Sequence, residues 1–343
     1  MPTSSRRYGT ELLKEIEVKV SGQALFSQQV VVTIVSLMLA VGFAIFLPGF
    51  LSVLNLISLL QNVAILGILS LGMAVIVIGR GIDFSMIALM VVPSGLLLQM
   101  VQNGHSLPAA LAASILLALT VGIINGWLIA YVEIPALFTT LGTGIFVAGL
   151  GQAVFFPLDV VSWVPKMNSI EWMGSNPILG IPKPIIMLGL AVAAMTLFLR
   201  KTTFGNYVYA IGDNPHGART TGIPTRPMIV LMYTLSAIVA TYAGFVMAAA
   251  IHSMPTRIYN STMIYDVILI VVIGGIAMTG GRGRVSNVLS GTLLIGILLN
   301  GMTILDVSYS AQNVVKGIVL LIALLFDTFL NPRNEDTAQQ GDV

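Results

Sequence analysis

The chain predicts an all-α, polytopic membrane protein of about ten transmembrane helices with both ends in the cytoplasm. Composition, the length of its apolar stretches and the placement of its charges predict it together. Of 343 residues, 56% are apolar and only 9% are charged, where an average soluble chain carries roughly a quarter of its residues as Asp, Glu, Lys or Arg. So few charges cannot make a water-facing surface, and a soluble two-domain enzyme is excluded. Disorder is excluded too, because disordered chains are poor in apolar residues and rich in charge. The absence of cysteine removes disulfide frameworks, thiolate metal sites and thiol catalysis. A net charge of +2 is too small to argue for nucleic acid.

The apolar residues gather into ten stretches: 29–49, 58–79, 84–102, 107–129, 139–156, 184–199, 228–251, 263–278, 287–305 and 311–330. A bilayer core of about 30 Å needs roughly 20 apolar residues in helix, since no water is present to satisfy exposed backbone groups. Within these stretches the charged residues are Asp266, Lys316 and Asp327. The first stretch follows a charged, partly amphipathic segment (Glu11, Lys14, Glu15, Glu17, Lys19). No small-residue cleavage site follows it, so it reads as an anchor and not as a signal peptide.

Positive residues set the orientation. With the N-terminus inside, twelve Lys and Arg fall on inside segments and three (Lys166, Lys183, Arg257) on outside loops. The organisation is therefore an N-terminal segment 1–28, one transmembrane domain 29–330 and a short tail 331–343, with both ends cytoplasmic. Two connections are long. Loop 157–183 lies outside and carries Trp163, Trp172, Pro157, Pro165, Pro177 and Pro182; loop 200–227 lies inside and is basic. A faint echo links Val75–Gly79 with Ile270–Gly274, and both run into a Gly/Arg turn.

No GxxxxGK[ST] occurs, so the chain has no phosphate-cradling loop of the usual ATPase kind. The run Gly280-Gly281-Arg282-Gly283-Arg284 follows a span rather than a strand and reads as a tight turn. His105, His216 and His252 stand in separate loops, with no metal triad, and neither HExxH nor GxSxG is present. In 202–223, Asp213 or Asn214 can cap a helix that opens at Pro215 and ends at Gly222 in the left-handed conformation.

That segment, with its Phe-Gly, Tyr-Ala-Ile-Gly and Gly222-Ile223, resembles the cytoplasmic coupling helix of ABC sugar-importer permeases of the ribose and galactose type. Gly81-Ile82-Asp83-Phe84-Ser85, Gly122-Ile-Ile-Asn125-Gly126, Pro135-Ala-Leu-Phe-Thr139-Thr140-Leu141-Gly142-Thr143 and Val272-Ile273-Gly274-Gly275 with Gly280-Gly281-x-Gly283 resemble further blocks of that family, in order. Departures are Arg80 where the family has a small residue, Met86-Ile87 after Ser85, Asp213, and Gly217 where alanine is usual. The resemblance implies a permease subunit for a monosaccharide or polyol, with no catalysis and no cofactor of its own. ATP and Mg would be held by partner ATPase subunits. A soluble binding protein would deliver substrate from outside, and a second permease chain, identical or paralogous, would share the route through the bilayer. It also implies that Asp213, Asn214, Pro215, His216, Gly217, Ala218, Arg219, Gly222 and Ile223 form the contact with the ATPase.

Other residues carry two readings each. Asp83 either caps the third span, with Ser85 beside it, or takes part in gating. Lys316 snorkels, pairs with Asp266 or Asp306, or lines the route. Asn125, Gln152 and Asn300 read as interhelical hydrogen-bonding groups. A polar route would draw on Thr139, Thr140, Thr143, Gln152, Asn300 and Lys316. Gly81, Asp83, Ser85, Asn125, Gly274 and Gly275 read as structural residues at helix breaks. Trp163 and Trp172 belong to the interfacial belt or to a docking site for the binding protein. A self-contained secondary transporter is the rival reading; it would need carboxylates at mid-membrane depth, and none of the acidic residues clearly lies there.

Overall fold

The structure, a computed structural model, describes residues 28–156, 158–174 and 181–330. The expectations for the charged N-terminal segment, Pro157, Pro177 and the tail fall outside those residues, and the Lys166 side chain is likewise not described. The described chain runs α1 (Gln28–Phe46), α2 (Val53–Ile78), α3 (Met86–Gln102), α4 (Leu107–Ala130), α5 (Ala136–Leu150), β1 (Val160–Ser162), α6 (Asn168–Glu171), α7 (Lys183–Lys201), α8 (Thr203–Asp213), α9 (Pro215–Thr220), α10 (Thr225–Ile251), β2 (Ser253–Pro255), α11 (Met263–Gly274), α12 (Val285–Ile304) and α13 (Tyr309–Leu330). A π-turn, Gly151–Phe155, extends α5. The strands pair antiparallel, with Val161 opposite Met254.

Among the described residues eight helices are long and apolar enough to cross a membrane. The chain is thus an all-α polytopic membrane protein, and all ten expected stretches are helical over most of their length. Two of these helices are shorter than the eight. Helix α3 has 17 residues and α11 only 12. At 1.5 Å per residue α11 is about 18 Å long, well short of the bilayer core. The expected span 263–278 therefore ends at Gly274, where Gly275 takes φ +94° and closes the helix in the left-handed region. The apolar run continues to Met278 without helix, because a glycine pair and not a polar residue stops it.

Helix α2 is the centre of the fold. Of its most apolar window 89% is buried, against 11% for α1 and α13. It packs against α7, α8, α10, α11 and α12. Its sequence from Val63 to Ile78 is apolar on every side apart from Ser70, as a helix buried all round should be. Around it, α4 and α10 approach most closely through Gly122 and Gly126, four residues apart on one face of α4. A Cβ on Gly122 would lie 2.8 Å from the Thr234 Cα, and one on Gly126 would strike the Val230 Cα. Small residues at this spacing let two backbones meet where no water drives association.

The first described residue of α1 and the last turn of α13 lie on one face. Gln28 Nε2 donates to the Val272 and Ile273 carbonyls (3.0 and 3.2 Å) at the end of α11. Asp327 of α13 accepts from the Met278 amide at 3.2 Å, in the turn that follows. Segment α8–α9 is on that face too, while the β1–β2 ribbon is on the other. The two ends of the described chain therefore share one face, as an even number of crossings requires.

Candidate functional site

Helix α8 opens on Thr202, whose side chain accepts from the Gly205 amide (3.2 Å). Asn214 closes it and caps α9, its Oδ1 accepting from the Gly217 amide at 2.8 Å. Of the two cap candidates, Asn214 holds the position, and Asp213 is the last residue of α8. Pro215 is the first helical residue of α9, where its missing N–H costs nothing. The helix then ends in a two-bond stop: Gly222 donates to the Arg219 carbonyl and Ile223 to that of Ala218, both at 3.0 Å. Gly222 sits at φ +85°, as this C-terminal motif requires. Ala218 is buried, while Asn214, His216, Arg219 and Gly222 are exposed. A short, doubly capped helix held by one buried alanine with polar groups facing outward is a surface another protein can grip.

Beneath it, the chain between α2 and α3 is non-helical, with Asp83 and Ser85 buried. Asp83 is fully buried. Its Oδ1 accepts from the Ser85 amide (2.9 Å) and hydroxyl (2.5 Å), and its Oδ2 from Ser236 of α10 (2.8 Å). Asn125 Nδ2 of α4 donates to Ser85 Oγ at 2.9 Å, and the Phe84 amide donates to Thr140 of α5 at 3.0 Å. The N-cap of α3 is Ser85, whose side chain makes no capping bond. Asp83 is therefore not the cap expected of it. It sits two residues further out and ties the break to α10, because a buried carboxylate needs several donors to replace lost water. Gly81 is in the same break; a Cβ there would lie 2.5 Å from the Tyr233 hydroxyl oxygen.

A second break follows α11. Asn287 Nδ2 donates to the Gly274 carbonyl (2.6 Å) and so satisfies one of the carbonyls left open by the helix end. Both segments of the faint echo, Val75–Gly79 and Ile270–Gly274, end helices on this one face, and each is followed by a residue at positive φ, Arg80 or Gly275.

On the opposite face Lys316 of α13 is buried and lies 2.9 Å from Asp266 Oδ1 of α11. Its Nζ also donates to Thr262 Oγ1 (2.8 Å), which bonds Asn313 (3.0 Å) and Tyr309 (3.0 Å). Of the alternatives, the structure realises the ion pair, with Asp266 rather than Asp306 as partner, and the lysine does not snorkel. Sequence reasoning missed Thr262, Tyr309 and Asn313. Tyr309, Asn313 and Lys316 stand at helical spacing on one stripe of α13, which was the available signal; Ser236 gave none.

The remaining route candidates are dispersed. Thr139 and Thr140 are buried inside the chain, and Thr140 is engaged with the break. Thr143 is half-buried and bonds the Thr139 carbonyl (3.0 Å). Gln152 is exposed on the π-turn. Asn300 pairs with Asn55 of α2 through two bonds of 2.8 and 3.0 Å, as an interhelical role requires. Trp163 packs edge-on against His252 at 5.6 Å, whereas Trp172 is exposed.

This architecture, with broken helices inside a bundle and a capped helix on its face, defines a membrane transport permease. The family described as branched-chain amino acid transport system / permease component matches residues 55–324, and the chain belongs to it. It is 35% identical over 281 residues to the ribose import permease protein RbsC of Bacillus subtilis (strain 168), covering 82% of this chain and 86% of that one. Its identity to the L-arabinose transport system permease protein AraH of Escherichia coli (strain K12) is 32% over 311 residues, covering 86% and 89%. Against the ribose import permease protein RbsC of the same organism it is 29% over 282 residues, covering 82% and 87%. No solved structure matches the chain significantly. The protein is a multi-pass membrane permease component of an ABC importer, and not an enzyme.

Proposed function

We propose that the substrate is a monosaccharide, a pentose or a related polyol, delivered to the β1–β2 face by a soluble binding protein. The named cargo of the relatives, ribose and L-arabinose, supports this reading. The α8–α9 face is cytoplasmic, since segments on that side carry twelve of the Lys and Arg and the opposite side three. The membrane is the inner, cytoplasmic one. Two ATPase subunits, which hold ATP and Mg, grip α9 of two permease chains whose shared boundary forms the route.

The observation that carries the proposal is α9 itself, capped at both ends, anchored by Ala218 and exposed. Transport is then a population shift between states open to one side or the other, biased by ATP binding and hydrolysis in the partner. The breaks at 79–85 and 275–284 are where helix segments can reorient, because no continuous backbone ladder runs through them.

Reconstitution in proteoliposomes with the ATPase and binding protein tests the proposal. Uptake of labelled ribose or arabinose is expected only with all components and ATP. Uptake by the permease alone under an ion gradient would establish the rival secondary transporter.

A further inference from the structure

We infer that Arg80 is the positioning residue that transmits movement of the coupling helix to the central helix α2. The inference rests on the reading of α9 as the segment the ATPase grips. Arg80 stands two residues beyond the end of α2 at φ +69°, in the left-handed region that a residue with a Cβ seldom adopts. Its fork reaches three backbone carbonyls in two other segments. Nε donates to Gly212 and to Thr279, each at 2.7 Å, and Nη2 donates to Asp213 at 3.0 Å.

Gly212 and Asp213 are the last residues of α8. Their carbonyls have no partner within that helix and lie at its negative end, so a cation caps them. Thr279 belongs to the turn between α11 and α12. One guanidinium thus joins the ends of α2 and α8 to that turn.

The backbones meet at the same point. The Gly281 amide donates to the Ile78 carbonyl of α2 at 2.8 Å. A Cβ on Gly212 would strike that same carbonyl, and one on Gly281 would lie 2.7 Å from the Asp213 Cα. Close packing of three glycine-lined strands of chain leaves no slack between them. Asn214, shared by α8 and α9 as cap of both, makes the coupling helix continuous with this node. A push on α9 therefore reaches α2, which touches most of the bundle. The planar guanidinium holds Nε–H, shared between Gly212 and Thr279, and Nη2–H, on Asp213, in one fixed geometry; a small residue reaches none of these carbonyls, and a lysine's compact ammonium lacks the fork.

The test compares wild type, Arg80→Ala and Arg80→Lys in proteoliposomes containing the ATPase and binding protein, reading ribose or arabinose uptake and ATP hydrolysis together. A residue that merely stabilised the fold would lower both in proportion. The expected result is a fall of at least fivefold in sugar moved per ATP for Arg80→Ala, with hydrolysis within about twofold of wild type, and partial recovery in Arg80→Lys. An unchanged ratio in both variants, or a parallel loss of both activities, overturns the inference. Should Arg80→Ala not assemble with the ATPase, Arg80→Lys decides alone on its ratio. Ala218→Trp in α9 separates the two readings: if it still transports normally, the α9 assignment has failed, whatever Arg80 does.

Discussion

Lys316 and Asp266 show what a single pair of side chains decides in this protein. Both are buried and 2.9 Å apart on the face opposite α9. Removing one partner strands the other charge, which costs about 3–5 kcal/mol in a buried setting. Lys316→Met is expected to lower the thermal unfolding midpoint of the purified protein, and Lys316→Met with Asp266→Asn to restore most of it. Equal loss in the single and double variants would show that the lysine acts through packing alone. In α9, Asn214→Ala removes the bond to Gly217 and should destabilise the segment by about 1 kcal/mol. Gly222→Pro is harsher, since proline fixes φ near −65° where the chain needs +85°. It is expected to abolish transport while leaving membrane insertion intact; normal transport would remove the coupling assignment.

At the scale of elements, the crossing of α4 and α10 depends on Gly126, which has no space for a Cβ against Val230. Gly126→Leu should force the helices apart and abolish stable expression, whereas Gly142→Leu on α5, where a Cβ would meet nothing within 4 Å, should express normally. Comparable levels of the two proteins would contradict the close-packing account. The helices themselves were legible because each long apolar run has no other stable form in a bilayer. The ends of α11 were not. From Val267 to Met278 the sequence stays apolar, and hydropathy cannot distinguish a helix from buried extended chain when a glycine pair sets the boundary. The caps of α9 were readable from Asn214, Pro215 and Gly222, since those residue types act through local geometry. Asp83 was misplaced because its partner, Ser236, is 153 positions away, and no local pattern announces that contact.

The whole molecule is a bundle built around one buried helix, with the exposed helix α9 on one face and the Lys316–Asp266 pair on the other. Its orientation rests on sparse charges sorted by side, and its coupling on α9 being cytoplasmic and in contact with the ATPase. The absence of native cysteine permits a direct measurement: His216→Cys, exposed on α9, treated with a membrane-impermeant maleimide and with a short bifunctional crosslinker in the assembled importer. The account predicts labelling only in inside-out vesicles, protection by the ATPase, and a crosslinked permease–ATPase product. Labelling of right-side-out cells, or reactivity indifferent to the ATPase, would contradict it.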